Sequence, residues 1–214
     1  MNTSSTKGGS VAGFILAGGR SSRMGTDKAA LEIGGVTMLD RAIELLRSAG
    51  VEPVILGGEA ERAAGVLWFA DDWPGAGPLG AIATALRVTE SEWNLVIACD
   101  MPYLTKEWLE LLISCAVPEF DAVAPRNAKG PEPLCALYSR TAEPKLRGAM
   151  ERGVRRATDG LKELRVMYLE SETWKSFDSG GLLFKNMNEP ADYEEAKVRL
   201  SRQATPVTKK KNEK

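Results

Sequence analysis

The 214-residue chain contains no histidine. That absence excludes His-dependent nucleophilic triads, His general bases and His metal ligands. Cysteine is scarce: Cys99, Cys115 and Cys135 are odd in number, widely spaced and form no C-x-x-C pair. Neither a zinc site nor a disulfide framework is expected from them. No apolar run approaches the roughly 18–20 residues of a membrane span. The amino-terminal residues lack the charged-then-apolar pattern of a secretory signal, so the expectation is a cytoplasmic protein with no membrane partner. An excess of charge of one sign is also missing, since 28 Lys and Arg against 29 Asp and Glu leave a net charge of −1. Nucleic acid therefore has no electrostatic claim on the chain. Chemistry must run on carboxylates, Lys, Arg, Asn, backbone amides or a hard metal ion.

What is present is enough apolar material for a sizeable core, 43% hydrophobic residues with 27% charged. Met1–Ser10 is polar and Gly/Ser-rich and reads as a flexible tail; residues 201–214, with Lys209-Lys210-Lys211, read as a second, Lys-rich one. Between them one domain, residues 11–200, alternates apolar strands with amphipathic helices. Strands are expected at Val11–Ala17, Pro53–Leu56, Val66–Ala70, Asn94–Ala98, Asp121–Ala124, Leu134–Tyr138 and Leu164–Leu169. Helices are expected at Thr37–Ala49, Glu59–Ala64, Leu79–Val88, Thr105–Cys115, Thr141–Met150, Arg155–Glu163 and Pro190 to about Leu200. Thr105 caps its helix, and Pro190 with Asp192 suits a first helical turn. This alternation predicts an α/β fold, a mostly parallel sheet covered by helices on both faces. Ligands in such folds gather where strands end at their carboxyl side.

Five stretches carry residue types suited to such chemistry. Leu16–Ala29, LAGGRSSRMGTDKA, follows the first strand with glycines interleaved among Arg20, Arg23 and Lys28. Glycines let backbone N–H groups approach a polyphosphate, and the cations supply charge. The stretch fits neither G-x-x-x-x-G-K-[ST] nor G-x-G-x-x-G. Ala98–Leu104, ACDMPYL, leaves Asp100 alone at the end of a hydrophobic strand, suited to a hard cation such as Mg²⁺. Ala70–Gly80, ADDWPGAGPLG, sets Asp71 and Asp72 before a helix; it reads either as a shaped connection or as a ligand loop using the helix's positive end. In Phe184–Asp192, FKNMNEPAD, Asn186 and Asn188 stand two apart: on an extended segment both amides reach one ligand, or the pair caps the Pro190 helix. Pro131–Tyr138, PEPLCALY, places Glu132 and Pro133 at the start of a strand. Arg155 and Arg156 add two cations, which a solvated helix start explains as well.

In this order the motifs resemble the molybdenum cofactor guanylyltransferase family, part of the nucleotidyltransferases with a Rossmann-like sheet. The resemblance spans Val11 to about Leu200, and LAGG-x-S-x-RMG-x-DK is its most specific part. It implies a single-domain, three-layer α/β/α fold of the nucleotide-diphospho-sugar transferase kind. It further implies that Leu16, Ala17, Gly18 and Gly19 hold a guanine nucleotide with backbone groups, and that Lys28 contacts its phosphates. Asp71 resembles the family's nucleotide-binding acid, with Asp72 the alternative if the register slips. Asp100 matches the Mg²⁺ ligand, Asn186 and Asn188 the asparagines of the molybdopterin side, and Arg155 with Arg156 a basic pair near that side. The implied reaction is attack of the phosphate of molybdenum-bearing molybdopterin on the α-phosphorus of GTP, with Lys28 and Arg20 or Arg23 stabilising the departing pyrophosphate. Proteins that deliver or accept the cofactor are implied partners. Two departures stand out: Glu132 where many relatives carry His or Gln, and Leu56-Gly57-Gly58 where some carry an Asn. The alternatives are a cytidylyltransferase on the same fold, which tends to read LAAG rather than LAGG, and a non-catalytic binding protein.

Overall fold

The computed structural model of the chain describes residues 10–18, 28–58, 65–178 and 180–203. Residues 1–9 and 204–214 of the tails expected at 1–10 and 201–214, the expected helix at Glu59–Ala64, and Gly19, Arg20 and Arg23 lie outside the described residues, while 201–203 continue the last helix.

Strand β1 (Val11–Leu16) is an interior strand of the sheet. The short hairpin β2 (Glu32–Ile33) and β3 (Val36–Thr37) and the helix α1 (Met38–Ser48) follow it. The chain then returns through β4 (Pro53–Leu56) and β5 (Leu67–Phe69), helix α2 (Pro78–Val88), strand β6 (Trp93–Ala98) and helix α3 (Lys106–Ser114). Its second half comprises β7 (Ala122–Asn127), β8 (Gly130–Pro131), β9 (Cys135–Ser139), α4 (Glu143–Glu151), α5 (Ala157–Leu161), β10 (Val166–Leu169), α6 (Ser171–Trp174) and α7 (Pro190–Gln203). The sheet runs β10-β7-β9-β6-β1-β4-β5, with β8 laid on β7.

All six residues of β6 are buried, as expected of a central strand with helices on both sides. The pleat of β1 separates two cores. Ile15 points into one with Ile97, Leu46, Trp108 and Leu109, under α1 and α3. Phe14 and Leu16 point into the other with Val96, Leu79, Ile82 and Leu146, under α2 and α4. The three-layer arrangement read from the sequence is therefore the observed one. Thr37 and Thr105 cap α1 and α3 through their side chains, accepting from the N–H groups of Asp40 and Trp108.

Three differences have local causes. Strand β9 is antiparallel to both β6 and β7. The chain between β7 and β9 holds only the β8 hairpin, too short for a crossover, so it turns back instead. The helix expected over Arg155–Glu163 contracts to α5, because Gly153 (φ +94°) redirects the chain and Arg156 remains extended as N-cap. Gly160 then lets α5 lie on α2, since a Cβ there would sit 2.5 Å from Leu79 Cδ1. The third difference is the β2–β3 hairpin, which turns at Gly34 (φ +65°) and Gly35 (φ +79°). That turn needs two residues with positive φ, which Gly-Gly supplies at little cost. The hairpin nucleates a small third core in which Ile33 and Met38 meet Met187 and Ala196 from the far end of the chain. The Tyr193 hydroxyl donates to the Glu32 carbonyl at 2.7 Å and ties α7 to the hairpin. Among the described residues no helix is long and apolar enough to cross a membrane.

Candidate active site at the carboxyl edge of the sheet

Strands β1, β4 and β6 end together. Cys99 N–H donates to the Leu16 carbonyl (3.2 Å) and Ala17 N–H to the Leu56 carbonyl (2.9 Å), which binds the three strand ends into one rim. Gly18 leaves this rim against Gly57 and Gly58, both at positive φ. A Cβ on Gly57 would lie 3.1 Å from Gly18 Cα. Leu56-Gly57-Gly58 thus has a reason that the sequence did not disclose: two backbones pass there without room for side chains.

Asp100 stands in the turn after β6. Lys28 reaches it from a short 3₁₀ turn at Lys28–Ala30, ahead of the β2–β3 hairpin, and Asn188 arrives just before α7. The Lys28 ammonium donates to Asp100 Oδ2 and to Asn188 Oδ1, each at 2.7 Å. The Lys28 and Asp100 side chains are 17% and 15% exposed, so the pair is shielded but open to a ligand. The third core makes this convergence possible by clamping residues near 28 and 188 to one another. Met187 N–H adds a bond to the Asp100 carbonyl at 2.9 Å. Asp192 in turn holds the approach to α7, accepting from the N–H groups of Asn188 (3.1 Å) and Glu189 (2.9 Å). Burial pushes the Asp192 carboxyl up, but those two N–H groups and Lys185 bring it below its ordinary value.

The two asparagines do not share surroundings. Asn188 points its amide at Lys28, whereas Asn186 Oδ1 is buried with no partner among the described residues. Residues 186–188 lie between the turn closed by Lys185 N–H on the Leu182 carbonyl and the start of α7, and they belong to no strand. The side chain that holds the approach to the Pro190 helix is that of Asp192, reaching back from the first turn.

Asp71 is engaged by its own loop: Oδ1 accepts from Trp73 N–H at 2.9 Å and lies 3.1 Å from the buried Thr84 hydroxyl. Asp72 pairs with Arg87. Gly77 opens α2 at φ +67°, with Pro78 as first residue, and leaves this helix end exposed. Arg155 comes to that end, its carbonyl 3.5 Å from where a Gly77 Cβ would be. Its Nη1 donates to the carbonyls of Met150 (2.7 Å) and Val154 (2.9 Å). Neither Arg155 nor Arg156 hydrogen-bonds Asn186 or Asn188 among the described residues. The structure therefore brings together Lys28, Asp100 and Asn188, with Leu16–Gly18 alongside. It sets Asp71 and Arg155 around the start of α2.

Asp100 Oδ2 and Asn188 Oδ1 converge on one cation, the Lys28 ammonium. Two hard oxygen donors aimed at one point also suit a hard divalent cation, which takes its remaining ligands from phosphate and water. Among the described residues no three His, Cys, Asp or Glu side chains cluster into a self-sufficient metal cage.

The MobA-like NTP transferase domain model matches residues 13–166. A protein of Opitutus terrae named "Probable molybdenum cofactor guanylyltransferase" is 36% identical over 203 residues, covering 88% of this chain and 95% of its own. A protein of Pelotomaculum thermopropionicum with the same name is 32% identical, covering 87% and 91%. Among solved structures, molybdopterin-guanine dinucleotide biosynthesis protein A from Archaeoglobus fulgidus superposes with a TM-score of 0.76 at 27% identity, covering 89% of this chain and 99% of that one. With its parallel core, glycine-shaped rim and Lys28–Asp100 centre, the chain belongs to the MobA-like NTP transferase domain family.

Proposed function

We propose that the protein transfers GMP from GTP to the phosphate of molybdenum-bearing molybdopterin and releases pyrophosphate. The single observation that carries this reading is the bridging of Asp100 and Asn188 by Lys28, a lysine poised to exchange two protein oxygens for phosphate oxygens. The names of the similar proteins support the choice of GTP and molybdopterin.

An acceptor phosphate oxygen forms the new bond to the α-phosphorus, and the bond from that phosphorus to the bridging α–β oxygen breaks. The electron pair leaves with pyrophosphate. The nucleophile is already an anion, so no general base is required, in keeping with a chain that has no histidine. The protein's contribution is alignment and charge neutralisation. Backbone groups of Leu16, Ala17, Gly18 and Gly19 would hold the nucleotide, and the exposed amino end of α2 at Gly77 offers a positive pole to its phosphates. Lys28 turns from Asp100 and Asn188 to the β- and γ-phosphates, and Arg20 or Arg23 shares the pyrophosphate charge. Asp100 and Asn188, released by Lys28, would hold Mg²⁺, which supplies further neutralisation of phosphate charge. Asp71 serves the nucleotide, and Asn186, Arg155 and Arg156 the acceptor.

Incubation with GTP, Mg²⁺ and molybdenum-loaded molybdopterin, followed by mass analysis, is expected to give the guanine dinucleotide and one pyrophosphate per GMP transferred. Product with CTP and none with GTP would make the enzyme a cytidylyltransferase. No product with any nucleoside triphosphate would overturn the reading.

A further inference from the structure

Between α1 and the end of β6 lies a cavity of about 490 Å³. Met38, Ala42 and Leu45 of α1 line one side, and Ile97, Met101 and Leu104, at and beyond the end of β6, line the other. Lys28, Asp100 and Asn188 are not among its lining residues, so the cavity is separate from the candidate active site. Among the described residues one cation lines it, Arg41. Arg41 is short of partners. A guanidinium offers five N–H donors. Here Nη2 donates to the Ile33 carbonyl at 3.1 Å, Nε is buried with no partner, and Nη1 makes no hydrogen bond among the described residues. Glu44 also lines the cavity, yet it pairs with Arg47 Nη1 at 3.6 Å and its side chain is 73% exposed. Burial lowers the Arg41 guanidinium's value, with no acidic group acting against it. A bond to the Ile33 carbonyl needs only a neutral donor, so folding leaves the charge of Arg41 without a task.

Shape and charge together define the occupant. Apolar side chains on two sides select an apolar body, and the volume falls within the roughly 300–1,000 Å³ of small-molecule sites. The lone guanidinium selects an anion. It also selects a single charge, because a second one would meet the exposed Glu44 and no further cation. We infer that this cavity is a second ligand site, which takes a compact monocarboxylate with an apolar body, its carboxylate on Arg41 and its body against Leu45 and Met101. The site goes beyond guanylyl transfer and does not depend on it.

The test uses NMR of the full chain labelled with carbon-13 at its methionine methyls. Met38 and Met101 report from the cavity, and Met150 and Met167 serve as references outside it. Titration with 3-phenylpropionate is expected to shift both reporters to saturation and leave the references in place. The neutral 3-phenylpropanamide should bind about 10-fold more weakly, the difference between a charge-assisted and a neutral hydrogen bond. Arg41→Gln is expected to abolish that preference, and Arg41→Lys, which keeps the charge without the planar fork, to retain part of it. Equal binding of acid and amide by the unaltered protein, or binding of neither, overturns the inference without any variant being needed. Shifts at Met150 or Met167 in place of Met38 and Met101 overturn it too, as does a preference that survives Arg41→Gln. Complete displacement of the acid by GTP with Mg²⁺ would merge the cavity with the nucleotide site and end its claim to be a second one. Product analysis with GTP reports separately on guanylyl transfer, so failure there with acid binding intact would sink the reaction and not this site.

Discussion

The sheet carries an aspartate–lysine pair at each edge, and both measure 2.7 Å. At the carboxyl edge Lys28 meets Asp100; at the amino edge Lys145 meets Asp121. Their surroundings differ. The Asp121 side chain is 2% exposed, and its Oδ2 also accepts from Arg165 N–H (2.8 Å) and Arg165 Nε (3.4 Å). Its backbone N–H donates to the Arg165 carbonyl and its carbonyl accepts from Ser139 N–H, so one residue joins the starts of β7 and β10 to the end of β9. Burial pushes the Asp121 carboxyl up, yet these donors hold it below its ordinary value. The Asp100 carboxylate, by contrast, is gripped by the tip of one flexible side chain, which also holds Asn188. Fixed backbone donors make a carboxylate part of the architecture, whereas a side chain that can swing away leaves it available for chemistry. Pair distance alone does not separate the two.

Asp100→Ala should sharpen that contrast most. Turnover is expected to fall by at least about 10³-fold, about 4 kcal/mol of transition-state stabilisation, in a pyrophosphate-release assay. The melting temperature should move little, because Lys28 keeps Asn188 and gains water. If the variant instead unfolds as readily as one altered at Asp121, the distinction between the edges collapses. Asp121→Asn should do the opposite, lowering the unfolding free energy by about 3 kcal/mol in urea titration through loss of a buried, paired charge. Activity per folded molecule should persist. The sign with pH follows from the lowered folded-state value: the contribution is fully present above the unfolded value of about 4 and is lost as pH falls through the still lower folded one. Acid unfolding of the unaltered protein should therefore be steeper than that of Asp121→Asn. Lys28→Ala comes next, with GTP binding weakened about 10- to 100-fold, as for loss of a charge-assisted phosphate bond. An unchanged GTP titration would place the phosphates elsewhere.

The layers and most elements were legible in the sequence because they rest on local pattern. Pro53–Leu56 matches its strand end to end, and the Thr105 cap is where the sequence puts it. Asp100 and Lys28 were legible as residue types at strand ends, but their contact spans 72 positions and has no local signature. It depends on the third core, which begins at the overlooked Gly34-Gly35 turn, a signal that was present between Ile33 and Val36. The antiparallel set of β9 was foreshadowed by the short, helix-free link before it. The different fates of Asn186 and Asn188 were not, because residues 186–188 belong to no strand whose alternation would set both amides on one side. Glu132 was visible only as a departure, since its bond to Asn127 has no signature in the spacing.

Asp71 tests the comparison at its middle, being fixed by its loop like Asp121 yet partly exposed like Asp100. Its Oδ1 serves Trp73 N–H and shares the Thr84 hydroxyl, which also lies 3.0 Å from the Gly80 carbonyl. Asp71→Asn preserves that oxygen and removes only charge, so its stability should stay within about 0.5 kcal/mol of the parent. Asp71→Ala deprives Trp73 N–H of its acceptor and should cost about 1 kcal/mol by urea titration. The two variants together separate the carboxylate's charge from its geometry. A GTP affinity that drops equally in both, with the stability difference intact, would show one aspartate holding its loop through Oδ1 and its nucleotide through charge. Equal stability losses would mean that the loop depends on charge, and Asp71 would then belong with Asp121.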